Sequence, residues 1–214
     1  MAERVQVRHI GEFVAAGKEP VRSERRRQIL VAANEVFTRN GYRGTSMNEV
    51  AARAFVSKPV LYRYFPGKVD LYLVVLQHHV DALVSAVSRA LCSTSDNHER
   101  VRAAVHAYFD FVDQESQGYR LVFNSDPAID PRVSRHAKRA SDACTDAVYD
   151  LLAQESGLDS HRARFLAVGV VGASRMIARY WLNSPGGVSK ADAIDTTVEL
   201  CWGGLSQLRP SKAS

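Results

Sequence analysis

The chain has 214 residues, of which 46% are apolar and 24% charged, and it carries a formal net charge of +5. That length holds one large domain or two small ones without disulfide staples, and no unbroken apolar run reaches the roughly 18 residues of a membrane span. Charge is uneven: residues 1–70 hold 13 Lys and Arg against 7 Asp and Glu, while residues 71–214 hold 15 against 16. Such a basic head suits a polyanionic partner, or equally a solvated tail with no partner. The first residues lack the apolar core and cleavage site of a signal peptide. Cys92, Cys144 and Cys201 are scattered without C-x-x-C spacing, which fits buried thiols in a reducing cytoplasm.

Residues 1–21 show no sustained period and are expected to form a mobile arm. From Ser23, the positions of Ile29, Ala32, Ala33, Val36 and Phe37 predict a helix that stops at Asn40-Gly41. Ser46 and Glu49 have capping-box spacing before an apolar stripe of Met47, Val50, Ala51 and Ala54. Ser57 can cap a third short helix with Pro59 in its first turn, and "FPGK" ends it.

The rest reads as helix throughout. Residues 68–91 place Tyr72, Leu73, Leu76, Val80, Leu83, Val84 and Val87 on one face, and residues 99–115 repeat the pattern with Val101, Val105, Tyr108 and Val112. A short piece follows around "GYRLVFN". Asp130-Pro131 opens a helix carrying Val133, Ala140, Cys144 and Leu151. Residues 160–182 are apolar on nearly every side, and Ser189 with Asp192 opens the last helix. No stretch alternates with period two for long. The expectation is an all-α chain of about nine helices: a 1–21 arm, a head over 22–67 with a helix-turn-helix at 46–65, and a body over 68–210.

A helix-turn-helix lays its second helix in the major groove while the first crosses the backbone. Ser57-Lys58-Pro59 would bring a cation and free N–H groups to the leading end of the second helix. Tyr62 and Tyr64 offer hydroxyls at phosphate height, and Lys68 opens the next helix where an anion is welcome. Arg22, Arg25, Arg26 and Arg27 can add phosphate contacts, whereas Leu61 and Phe65 read as core.

The strings "ILVAANEVFTRNGYRGTSMNEVAARA" and "VSKPVLYRYFPGKVDLY" resemble the TetR family of bacterial transcriptional regulators over about residues 23–75. The resemblance implies an all-α homodimer, with a three-helix DNA-binding head and a six-helix ligand-binding body, acting on a palindromic operator in double-stranded DNA. The predicted DNA contacts are Arg25, Arg26, Thr45, Ser46, Ser57, Lys58, Pro59, Tyr62, Arg63, Tyr64 and Lys68, with Arg63 a candidate base reader. Phe55 departs from the pattern, since most members carry glycine at that corner. The flanking caps and apolar stripe are expected to fix the turn, with the ring on the head's surface or against the first helix.

Strings in the body, among them "YFDFVDQESQGYRLVF", "GLDSHRARFLAVGVVG" and "WGGLS", look like actinobacterial TetR-type regulators of fatty-acid synthase genes. That finer likeness implies a long-chain acyl-CoA effector and an apolar tunnel. Its predicted lining is Leu83, Val87, Val105, Tyr108, Phe109, Val112, Phe123, Val148, Leu152, Met176 and Tyr180, with Arg120, Arg175 and Arg179 as mouth residues. The fully apolar helix 160–182, with the last helix, suits a four-helix dimer interface through Phe165, Gly169, Gly172, Ala173, Val198, Trp202 and Leu205.

Alternatives are a repressor sensing a drug-like or other small hydrophobic ligand, and a nonspecific DNA-binding scaffold. His78 and His79 are adjacent and point apart on a helix, no H-E-x-x-H is present, and "GVVGAS" lacks G-x-S-x-G. Asp126 and Asp130 read as turn and cap residues. No metal, cofactor, membrane partner or enzymatic activity is expected.

Overall fold

The structure, a computed structural model, describes residues 6–114, 116–123, 129–184 and 186–206. Asp126 and residues 1–5 and 207–210 lie outside them. Nine helices and no strand occur among the described residues: α1 (Gln6–Gly44), α2 (Met47–Arg53), α3 (Lys58–Tyr64), α4 (Lys68–Leu91), α5 (Asn97–Gln114), α6 (Ser116–Phe123), α7 (Pro131–Glu155), α8 (Ser160–Leu182) and α9 (Lys190–Ser206). The architecture is all-α, as the periodicity predicts.

Residues 6–21, expected as an arm, belong to α1. Glu12, Ala15, Ala16, Lys18 and Glu19 are good helix formers, so local propensity favours helix there. α1 continues to Gly44 through a break at Gly41, whose φ of 66° an L side chain rarely adopts.

The chain divides into two compact units after Val75, inside α4 rather than ahead of Lys68. The first unit owns the start of α4 because Tyr72 closes an aromatic cluster there, 4.9 Å from Phe37 and 5.0 Å from Tyr42 between centroids. Its core is Ile29, Ala33, Val36, Phe37, Met47, Val50, Ala51, Leu61, Phe65, Leu71 and Tyr72, all buried. The predicted α1 and α2 stripes are that core.

In the second unit α5 packs on α8 and α9, α7 on α8, and α6 on α5 and α7. Ion pairs tie α9 to α5: Lys190 Nζ lies 2.8 Å from both Asp110 and Asp113, and Arg102 lies 2.7 Å from Asp195. The helix starts are capped where the sequence places caps. Asp130 accepts from Arg132 N–H at 2.7 Å, and Ser189 Oγ accepts from Asp192 N–H at 3.1 Å. Cys144 and Cys201 are buried as expected, but Cys92 is exposed just beyond the end of α4.

α4 and α8 reach the mean hydropathy of a membrane span over 18 residues, although no unbroken apolar run does. In α8 only 17% of that window is buried. Its inner stripe is small, Ala163, Ala167, Ser174 and Ala178, while large apolar side chains face outward.

Candidate DNA-binding surface and body cavity

Ser46 starts α2 in extended backbone, and its hydroxyl accepts the Glu49 N–H at 3.1 Å. The return half of a capping box is replaced, because Asn40 Nδ2 donates to the Glu49 carboxylate at 2.8 Å and ties α1 to α2. Thr45 is a correction. It is 3% exposed and its Oγ1 donates to the Gly41 carbonyl at 2.8 Å, so it closes the end of α1 and has no free hydroxyl for DNA.

The corner between α2 and α3 is a Schellman closure. Phe55 N–H donates to the Ala52 carbonyl at 3.1 Å and Val56 N–H to the Ala51 carbonyl at 3.0 Å. Phe55 takes the left-handed position with φ 52°, the one such non-glycine among the described residues. Its ring is 80% exposed, so it lies on the surface and not against α1.

α3 then presents its leading end to solvent. Ser57, Lys58 and Pro59 are exposed, and Pro59 sits where no helical N–H partner is needed. Ser57 holds the N-cap position that the sequence reading gives it but makes no side-chain cap bond, which leaves its hydroxyl for another acceptor or donor. Tyr62 is 41% exposed and Arg63 fully on the outside, while Leu61 beneath them is completely buried. Tyr64 is half-buried, with the Arg63 guanidinium 5.8 Å from its ring centre. Arg26 lies 5.4 Å from the Phe65 ring and Arg25 hydrogen-bonds Gln28 at 3.4 Å, both remaining exposed. Arg27 is already held by Glu24. Lys68 sits 4.4 Å over the Tyr42 ring, and burial lowers its pKa. Exposed Asn48 in the first turn of α2, near Ser46, was not singled out by sequence reasoning. A polar side chain two residues after an N-cap was the available signal.

The second unit contains an apolar cavity of about 50 Å³. Of the residues expected in a ligand pocket, Val87, Val105, Tyr108, Val148 and Leu152 line this cavity, together with Leu91, Val101, Ala104, Cys144, Leu151, Val170, Val171, Ser174 and Leu205. Leu83, Phe109 and Val112 are instead core residues, and Phe123 faces Tyr119 at 4.9 Å. Met176 and Tyr180 are also corrections, being 58% and 74% exposed on the outer face of α8. They continue the row of Phe165, Gly169 and Gly172 at helical spacing, so one stripe accounts for all five.

A shallow groove lies between α8 and α9, lined by Phe165, Gly169, Ala173 and Leu205 as well as Leu166, Leu200 and Gly204. Val198 does not belong to it: it is 1% exposed and packs inside its own protomer. Trp202 is half-buried with His98 edge-on at 5.2 Å. Of the three side chains that could share a cation, Asp96, His98 and Glu99, Asp96 caps α5 through the Glu99 N–H at 2.9 Å.

Comparison with known proteins decides the family. Residues 29–75 match the model of bacterial regulatory proteins of the tetR family, and residues 97–204 match the tetracyclin repressor-like C-terminal domain. The chain belongs to the TetR family. This TetR-family protein is 53% identical over 192 residues to the HTH-type transcriptional activator FasR of Mycolicibacterium smegmatis, covering 90% of the chain and 88% of the relative. It is 30% identical over 183 residues to an HTH-type regulator of Mycobacterium tuberculosis, covering 85% and 77%.

Among solved structures, a TetR-like regulator from Rhodococcus sp. RHA1 aligns with a TM-score of 0.65 at 25% identity, over 86% of this chain and 97% of that one. A tetR-family regulator from Streptomyces coelicolor aligns at 0.71 and 23% identity, over 85% and 80%, and shows the fold. The TetR-family protein is a DNA-binding transcriptional regulator and not an enzyme.

Proposed function

We propose that this regulator works in the cytoplasm as a homodimer on a palindromic operator, with a long-chain acyl-CoA in the body setting its affinity for DNA. The observation that carries the ligand reading is the aliphatic cavity between α4, α5, α7 and α8, in a chain whose relative FasR is a transcriptional activator. Aliphatic walls select an alkyl chain over a polar effector. The cavity has room for a few methylene-sized groups, so a longer chain must part the helices around it. Parting them biases the body between two conformations, and the ligand shifts their populations by its differential affinity.

Dimerisation is supported by the outer face of α8 and α9. A Cβ at Gly169, Gly172, Gly203 or Gly204 would meet nothing within 4 Å, so internal packing does not require these glycines. A partner helix approaching closely does. On DNA, α3 enters the major groove leading with Lys58, and Tyr62 and Arg63 face the duplex while Arg25 and Arg26 hold phosphates.

Titration of operator binding with palmitoyl-CoA and longer acyl-CoAs tests the effector, and a shift in DNA affinity is expected. No shift at any chain length removes the acyl-CoA reading, and a different co-purifying hydrophobic compound identified by mass spectrometry would replace it. Lys58→Ala is expected to weaken operator binding about tenfold with the circular dichroism spectrum unchanged. Equal weakening on unrelated DNA would mean phosphate-only binding.

A further inference from the structure

The body cavity has two unlike ends. Most of its wall is aliphatic, and the side chains of Tyr108, Cys144 and Ser174 complete it. Along α5, Tyr108 lies seven residues from Val101, and along α7, Cys144 lies eight residues from Leu152. At the helical rise the first pair is about 10 Å apart and the second about 12 Å, so Tyr108 and Cys144 mark one end and Val101 and Leu152 the other. The polar end continues outward: Arg175, next to Ser174, donates to Ser141 Oγ at 3.0 Å, one turn before Cys144.

Two buried hydroxyls, that of Tyr108 in the cavity wall and that of nearby Tyr119 on α6, behind the wall, have no hydrogen-bond partner among the described residues. Tyr108 is 5% exposed and Tyr119 is 1% exposed, yet neither phenol oxygen is bonded. Burial pushes the Tyr108 phenol well above its ordinary pKa, Tyr119 and Cys144 nearby push the same way, and Arg175 opposes them. Both phenols therefore stay protonated donors near neutral pH. An unbonded buried hydroxyl is costly and uncommon, so two together beside a guanidinium form a donor set awaiting an acceptor.

We infer that Tyr108 and Tyr119 hold the acyl oxygen of the ligand, so that the chain enters with its carbonyl at this end and its methylenes toward Val101 and Leu152. The inference rests on the acyl reading above and adds to it an orientation and two named donors. A carboxylate and a thioester carbonyl present the same acceptor oxygen. Arg175 separates them, because only the carboxylate brings a charge for the guanidinium.

The experiment is calorimetry on the full chain with palmitoyl-CoA, with S-hexadecyl-CoA, which keeps the chain and coenzyme but lacks the acyl oxygen, and with palmitate. The wild type is expected to bind palmitoyl-CoA roughly tenfold more tightly than the thioether. In the Tyr108→Phe, Tyr119→Phe double variant that preference disappears, while the unliganded Tm rises by about 2 °C because unbonded hydroxyls are gone. Arg175→Gln weakens palmitate and spares palmitoyl-CoA if the thioester is the ligand form, and palmitate binds the wild type more tightly if the free acid is. Equal binding of the two CoA compounds by the wild type, or a preference that survives in the double variant, overturns the inference and leaves the acyl reading standing. A lower Tm in the double variant also overturns it, since the phenols would then have internal partners. Failure of the wild type to bind any of the three probes overturns the acyl reading and this inference with it.

Discussion

Phe55 shows how a bulky residue can occupy a corner suited to glycine. The two Schellman hydrogen bonds from Phe55 and Val56 to Ala52 and Ala51 fix the turn, so the left-handed φ of 52° is held by the backbone and not by the side chain. The conformation costs roughly 1 kcal/mol, and a ring that is 80% exposed returns little packing. Phe55→Gly is therefore expected to stabilise the protein by about 1 kcal/mol in urea unfolding, with α3 unmoved. A less stable glycine variant would mean that the ring makes a contact of its own. His79 offers a second residue-level prediction. It is 2% exposed, and burial followed by the charge of His78 lowers its pKa to about 4. Protonation thus favours the unfolded chain, whose histidine titrates near 6.5. Stability is full above pH 6.5, falls as pH drops from 6.5 to about 4, and the loss from this group is at most about 3 kcal/mol. Urea midpoints measured from pH 7 to pH 4 check this, and His79→Gln should flatten the profile.

The packing of α6 depends on a glycine that composition does not flag. A Cβ at Gly118 would fall 2.4 Å from Nδ1 of the buried His79 on α4. Gly118→Ala should cost about 1–3 kcal/mol by overpacking, despite alanine being the better helix former. A neutral or stabilising result would show that α6 can lift away from His79. The other helices were readable because their stripes and caps agree. Ser46, Asp130 and Ser189 each begin a helix where a capping side chain precedes an apolar period. Reading failed where the same residue type serves either role. Thr45 and Ser57 look alike in sequence, yet one hydroxyl is buried against Gly41 and the other makes no cap bond.

For the molecule as a whole, the exposed apolar row on α8 sets the expected assembly. A Cβ at Gly169 would meet nothing within 4 Å, so Gly169→Glu should leave the fold intact. It places a charge on the stripe of Phe165, Met176 and Tyr180, which a dimer would bury unpaired. Sedimentation is expected to show a monomer, with operator affinity reduced because two half-sites are no longer linked. A dimer that survives this change would put the interface elsewhere.

The sequence alone determined the all-helical class, the uneven charge between a basic first part and a near-neutral remainder, and the residues that cap and line α2. These follow from local periodicity, capping chemistry and charge, which depend only on near neighbours in the chain. Tertiary structure decided which apolar residues face inward. Met176 and Val198 are equally hydrophobic on paper, but one is 58% exposed and the other 1%. A helix apolar on every side carries no periodic signal for its inner face, and only the helices packed against it choose one.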